Sequence, residues 1–268
     1  MSQRSVGSTR QQRLDAILES LVADEQASPQ QLAARFGVSL MTVHRDLDEL
    51  QARGFVRKFR GGVDVARTGS FEIVAALRRR IGVAQKRAIA AAAARLVAPG
   101  QSVLLDDSTT AAHLVPHLVE VEKVHVITNY LPSLALLAAR GDVEFTAIGG
   151  RFDAGHESFL EAGAAAAIRA LRVDLAFLST TTADLQGIYH QEDKIVTIKS
   201  EMLRSAARRV LLLDSTKIPQ TSLHLVADWS AVDDLVTDGA TPADVLDGVR
   251  ERGVTVHVVA VPPSPVSR

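Results

Sequence analysis

Ser28-Pro29-Gln30-Gln31-Leu32-Ala33-Ala34-Arg35-Phe36-Gly37-Val38-Ser39-Leu40-Met41-Thr42-Val43-His44-Arg45-Asp46-Leu47-Asp48-Glu49-Leu50 carries the signals of two short helices around a tight turn. Ser28 caps the first helix, Pro29 suits its first turn and Gln31 completes a capping box. Gly37 supplies the turn, and Ser39 caps the second helix. On that helix Leu40, Val43, Leu47 and Leu50 recur at helical spacing and are expected to form the buried stripe. At 100° per residue the opposite face carries Met41, Thr42, Arg45, Asp48 and Glu49, with Arg45 pointing away from the stripe. The second helix of a helix-turn-helix presents such a face to base edges and phosphates. Ser39, Met41, Thr42, His44 and Arg45 are therefore candidate contacts to duplex DNA. Asp48 and Glu49 repel phosphate, which places contact in the first two turns.

On the N-terminal side Leu14, Ile17, Leu18, Leu21 and Val22 fall on one face of an earlier helix and complete a three-helix core. On the C-terminal side Arg57-Lys58-Phe59-Arg60-Gly61-Gly62-Val63 reads as two extended runs about a Gly-Gly turn, a basic wing. Arg57, Lys58 and Arg60 are expected to hold phosphates, and Gly61 lets the backbone come close to DNA. Residues 1–70 carry a net charge of +2 and the remainder −3, but five of the positive residues lie between Arg53 and Arg67. Local charge on the hairpin decides more than whole-chain charge. Three helices and a hairpin also suit a small protein-interaction module. The turn, the caps, the outward Arg45 and the basic wing together favour DNA.

The 268 residues, 47% hydrophobic and 23% charged, suffice for two globular domains. No apolar stretch is long enough to span a bilayer, and the polar N-terminus is not a signal peptide. The chain has no cysteine, which excludes disulfides and thiolate metal sites. A cytoplasmic protein with no metal, no cofactor and no membrane partner is expected. Residues 1–9 read as a disordered tail, 10–66 as a winged helix-turn-helix, 67–85 as linker and connecting helix, 86–260 as an α/β domain and 261–268 as a second tail.

Within 86–260, short apolar runs at 102–105, 124–127, 144–148, 175–178, 210–213, 235–236 and 254–259 alternate with helical segments at 110–118, 131–139, 162–171, 195–207 and 242–252. This alternation predicts a mostly parallel sheet covered by helices on both faces. Ligands of such sheets sit outside the carboxyl ends of the strands. The residues placed there are Asp106-Asp107-Ser108-Thr109-Thr110, Thr128-Asn129-Tyr130, Gly149-Gly150-Arg151, Ser179-Thr180-Thr181-Thr182 and Asp214-Ser215-Thr216-Lys217. Hydroxyls and an amide suit sugar oxygens; N–H groups at a helix start and cations suit phosphate. Each signal alone has an ordinary reading as a cap, a turn or a solvated lysine, and it is their convergence that points to a phosphosugar pocket. His113, His117, His156 and His190 have no metal-ligand spacing and read as structural or surface residues, with His190, beside Tyr189, the one of the four expected to reach the pocket.

With these residues in place, the chain resembles the DeoR family of transcriptional regulators over nearly its whole length. The family's Val-Ser-x-x-Thr-hydrophobic-Arg-Arg-Asp-Leu-x-x-Leu appears as residues Val38 to Leu50, with His44 in place of the first arginine. Arg60-Gly61-Gly62 matches the wing, and Lys86-Arg87-Ala88-Ile89 the inter-domain element. The family's Asp-Ser-Gly-Thr-Thr is Asp106-Asp107-Ser108-Thr109-Thr110; Thr128-Asn129, Gly149-Gly150, Lys199 and Asp214-Ser215-Thr216-Lys217 match its further elements. The resemblance implies a winged helix followed by a Rossmann-like sensor, similar in fold to ribose-5-phosphate isomerase and glucosamine-6-phosphate deaminase. It implies a non-enzymatic, oligomeric regulator, a repressor of carbohydrate genes, with an operator and a phosphorylated sugar as partners. Asp107, Ser108, Thr109, Thr110, Asn129, Gly149, Gly150, Thr181 and Lys199 are the effector-site residues so implied. Three positions depart from the pattern: Ser108 replaces a glycine, Thr181 an acid and Leu160-Glu161-Ala162 a Val-Gly-Pro. The rival reading is a sugar-phosphate isomerase or deaminase with an added DNA-binding head. It needs a carboxylate base, and the acid expected at Thr181 is missing; Glu161, Asp184 or Glu192 would have to substitute.

Overall fold

The computed structural model describes residues 3–24, 26–68, 72–73 and 75–262. The chain divides into two compact units at Gly82 and Val83. In the first, α1 (Gln3–Asp24) and β1 (Gln26–Ala27) precede α2 (Pro29–Phe36) and α3 (Leu40–Ala52). Then come β2 (Val56–Phe59), β3 (Gly62–Val65), β4 (Arg67–Thr68), β5 (Glu72–Ile73) and α4 (Ala75–Arg78). The capping box at Ser28 forms in full, Gly37 closes α2 in the left-handed conformation at φ 62°, and Ser39 accepts a hydrogen bond from the Thr42 amide. Leu14, Ile17, Leu18 and Leu21 of α1 pack with Leu32, Val43, Leu47, Leu50, Phe55, Val56, Val63 and Val65.

Four local expectations need correction. Helix α1 begins at Gln3, so residues 3–9, read as a disordered tail, are helical; once the buried turns nucleate the helix, propagation adds a bond per residue. Leu40 lies outside the core at 40% exposure, and buried Asp46 takes a place on the inner face of α3. Arg13 makes this possible by offering two donors to the Asp46 carboxylate, at 2.6 and 3.2 Å. The wing turn is Arg60-Gly61, with Gly61 at φ 93°, while Gly62 already belongs to β3. A Cβ at Gly62 would lie 2.6 Å from the Phe59 ring, so this glycine serves packing. Residues 67–85, read as linker and helix, instead hold the antiparallel pair β4–β5 before the single turn of α4, and α5 begins at Val83. Of the C-terminal tail, residues 263–268 lie outside the described residues, as do 69–71 and 74 of the linker.

The second unit starts with α5 (Val83–Ala93), β6 (Ser102–Leu105), α6 (Val115–Leu118), β7 (His125–Thr128), α7 (Leu131–Ala138) and β8 (Glu144–Ala147). A hairpin of β9 (Arg151–Asp153) and β10 (Ser158–Leu160) leads to α8 (Glu161–Arg169) and β11 (Val173–Leu178). After β12 (Thr182–Ala183) and β13 (Ile188–His190) come α9 (Asp193–Ser205), β14 (Ala206–Leu212), β15 (His224–Ala227), β16 (Asp234–Asp238), α10 (Ala243–Arg250) and β17 (Thr255–Val259). All seven predicted apolar runs enter one sheet in the order β17-β16-β14-β11-β6-β7-β8, and every neighbouring pair is parallel. Alternate residues point to opposite faces. Val103, Leu105, Leu175 and Phe177 pack with Ile89 and Leu137 on one side. Leu104, Ala176 and Leu178 pack with Ile168, Ile198 and Val249 on the other. Both faces of the inner strands are therefore buried under helices, as continuous apolar strands require, while of the edge strands β8 is largely and β17 partly exposed. A small antiparallel sheet, β12-β13-β15, stands apart from the main one.

Candidate functional site

In the first unit, α3 turns Met41, His44, Arg45 and Asp48 to solvent, while Thr42 is half-buried with its hydroxyl 2.9 Å from that of Ser39. The carboxylates read as repelling phosphate are neutralised. Asp48 pairs with Lys58, which holds its carboxyl below the usual range. Glu49 pairs with Arg10 and Arg53. Arg57 lies 2.7 Å from Asp64 across the β2–β3 ladder. Arg45 and Arg60 are exposed and enter no ion pair among the described residues. Sequence reasoning did not foresee that Arg57 and Lys58 have intramolecular partners to exchange, because those partners come from a facing strand and a neighbouring helix.

In the second unit the strand order reverses at β6: β7 and β8 lie on one side of it, β11 and β14 on the other. The crevice between the carboxyl ends of β6 and β11 is thus a topological switch point, where open α/β sheets take ligands. Asp106 ends β6 there, fully buried, accepting the Ser108 amide at 3.0 Å and the Ser179 amide at 2.8 Å. Lys199, projecting from α9, donates to Asp106 and reaches Asp107 at 3.3 Å. Burial pushes the Lys199 ammonium down, but Asp106 and Asp107 outweigh it and hold the group above its ordinary value. The other Asp107 oxygen accepts the Ser158 hydroxyl at 3.0 Å. Ser108 caps the following turn through the Ala111 amide at 3.0 Å, and Thr109 and Thr110 are buried beside it.

Asn129, at the end of β7, donates to the Phe159 carbonyl at 3.0 Å, while its buried Oδ1 has no partner. Gly149 and Gly150 are exposed, and Gly150, at φ 150°, brings its Cα against Leu160. Thr181 is half-buried, its amide donating to Tyr189 O at 3.1 Å. Lys217 reaches the Ser179 hydroxyl at 3.1 Å and the Thr180 carbonyl at 2.9 Å. Asp107, Ser108, Asn129 and Lys199 are thus linked directly or through the hairpin.

Sequence reasoning missed that hairpin. Besides Ser158, it contributes His156, buried, 3.0 Å from the Glu192 carboxylate. His190 accepts the Glu192 amide, and Lys194 pairs with both Asp153 and Glu192. These contacts fasten β9–β10 to the start of the helix that carries Lys199. Glu192 is therefore occupied. Asp184 accepts from the Gln186 and Gly187 amides and the Tyr189 hydroxyl. Glu161, in the left-handed region at φ 69°, is exposed and pairs with Arg151 at 3.3 Å. A pocket of about 250 Å³ walled by Arg169, Arg172 and Arg204 lies at the opposite end of the sheet. Its cations are already engaged: Glu201, also in the lining, pairs with Arg169 and Arg204, and Arg172 donates to the Arg169 and Leu171 carbonyls. Among the described residues no group of His, Asp or Glu side chains could hold a metal ion, and no helix is long and apolar enough to cross a membrane.

A winged helix joined to an α/β unit with a polar switch-point crevice defines a ligand-responsive DNA-binding regulator. Residues 82–239 match the model of the DeoR C terminal sensor domain, and residues 13–68 that of the DeoR-like helix-turn-helix domain. The chain belongs to the DeoR family of transcriptional regulators. It is 31% identical to the uncharacterised HTH-type transcriptional regulator YgbI of Escherichia coli (strain K12), over 86% of this chain and 91% of that one. The transcriptional repressor GlcR of Bacillus subtilis (strain 168) is 27% identical over 93% and 96%. The lactose phosphotransferase system repressor of Lactococcus lactis is 26% identical over 85% and 91%. A solved D-ribose-5-phosphate isomerase in complex with phospho-erythronic acid aligns with 49% of this chain and 52% of its own, at 14% identity and a TM-score of 0.36.

Proposed function

We propose that this regulator represses genes of carbohydrate uptake or catabolism and that a phosphorylated sugar, bound at the switch point, controls its hold on the operator. The observation that carries the reading is the convergence of Asp106, Asp107, Ser108, Asn129, Ser158 and Lys199 on one crevice, with the Asn129 oxygen unsatisfied. A buried acceptor without a partner costs about 1–3 kcal/mol, which a sugar hydroxyl donating to it recovers. The hydroxyls of Ser108, Thr109 and Thr110 offer donors to phosphate, and Lys217, held by the Ser179 hydroxyl and the Thr180 carbonyl, offers positive charge. Asp107, Thr109, Thr110, Gly149, Gly150 and Thr181 complete the contact set. The repressor roles named for GlcR and for the lactose system fit this assignment.

At the other end of the chain, Ser39, Met41, Thr42, His44 and Arg45 face the major groove, and Arg57, Lys58, Arg60 and Gly61 meet the backbone. One recognition helix makes few contacts, so paired half-sites and a homo-oligomer supply specificity. In this reading the protein works in the cytoplasm and turns over no substrate: Glu161, Asp184 and Glu192 have partners outside the crevice, and Asp106 and Asp107 within it are paired with Lys199.

Fluorescence anisotropy with duplex from upstream of its own gene, at fixed salt and across a panel of sugar phosphates, tests the proposal. One compound should shift affinity by roughly 5–150-fold, a coupling of about 1–3 kcal/mol, and Arg45→Ala should weaken operator binding by about 1–3 kcal/mol. Tight binding indifferent to every sugar phosphate would remove the effector assignment, and turnover of one would remove the non-enzymatic one.

A further inference from the structure

Met41 is an apolar side chain placed where solvent gains nothing from it. It is 65% exposed on the second residue of α3. At 100° per residue it points opposite to the mean direction of buried Val43, Leu47 and Leu50. Most of its polar neighbours on the helix are occupied. Thr42 bonds Ser39, Asp48 pairs with Lys58, and Glu49 pairs with Arg10 and Arg53. Met41, His44 and Arg45 remain presented outward, and only Met41 among them has no hydrogen-bond donor and no acceptor stronger than a thioether.

In the major groove the base edges carry donors and acceptors, with one apolar exception, the 5-methyl group of thymine. Methionine is unbranched and polarisable and adapts its shape to such a partner. We propose that Met41 is a specificity-determining residue that reads a thymine methyl in each half-site. Arg45, one turn further along the same face, reads the adjoining polar edge, which for an arginine is most often guanine. Four residues of helix advance about 6 Å, close to two base steps of ~3.4 Å. The thymine therefore lies within about two base pairs of the base that Arg45 contacts. This inference rests on α3 being the helix that enters the groove, and it adds the chemistry of one base to that reading.

The test uses the full-length protein and duplexes it selects from a random library. Each thymine of the selected site is replaced singly by deoxyuridine, which pairs identically but lacks the methyl group. At one thymine per half-site the replacement should weaken binding about fourfold, equivalent to the ~0.8 kcal/mol of one buried methyl-sized group. Met41→Ala should bind the thymine and uracil duplexes equally, whereas Met41→Leu, still apolar, should keep the difference. Met41 is exposed, so neither variant threatens the fold, and the dependence of affinity on salt should not change because no phosphate contact is lost. If every thymine tolerates the replacement, or if Met41→Ala retains the uracil penalty, the assignment is overturned while α3 remains the reading helix. Failure of the library to yield any preferred sequence would overturn both.

Discussion

Asp46 is a carboxylate inside a helical core, 1% exposed, and its tolerance depends on guanidiniums from α1. Arg13 gives it two donors, and Arg10 approaches at 3.4 Å. Removing one partner of a buried pair strands the other charge, at a cost of about 3–5 kcal/mol when nothing replaces it. Arg10 remains nearby, so Arg13→Ala should destabilise the first unit by about 2–3 kcal/mol, measured by urea unfolding. His113 gives a second prediction. Burial, then the positive charges of Lys86 and Arg87 and of His117, push its pKa from 6.5 to about 4. The unfolded chain then binds more protons than the folded one between these values, so stability falls as pH drops from 6.5 towards 4. Partial exposure reduces the effect to about 2 kcal/mol. Thermal unfolding of His113→Gln across this window should have a correspondingly shallower pH dependence.

Among the elements, the β9–β10 hairpin contributes the Ser158 hydroxyl and the Phe159 carbonyl to the sensor crevice. Gly150 sits where a Cβ would lie 2.6 Å from the Leu160 carbonyl oxygen, at a φ of 150° that side chains rarely adopt. Gly150→Ala should therefore displace the hairpin, costing about 2–3 kcal/mol of stability and abolishing the effector's influence on operator affinity. Calorimetry and anisotropy on the same variant measure both losses. The five inner strands were legible as apolar runs because strands buried on both faces need no polar alternation, whereas of the edge strands β8 is largely and β17 partly exposed. The hairpin was not: Arg151-Phe152-Asp153 and Ser158-Phe159-Leu160 are each only three residues long, below the length at which periodicity speaks.

For the whole molecule, two units with separate cores should unfold as separate transitions. A sugar phosphate that binds the second unit at 100 times its Kd should raise that unit's stability by about 2.7 kcal/mol. The transition of the first unit should stay in place, as differential scanning calorimetry with and without the compound would register. What the sequence by itself determined is what short range encodes. Caps at Ser28 and Ser39, the turn at Gly37 and the apolar periods of α1 and α3 specify the helix-turn-helix, and alternation of apolar runs with helices specifies a parallel sheet. What only the tertiary structure decided is which charges are already used. Lys199 meets Asp106 across 93 residues, Ser158 meets Asp107 across 51 and Arg13 meets Asp46 across 33. Strand order sets those meetings, and an ion pair depends on distance through space, which composition and spacing along the chain do not contain.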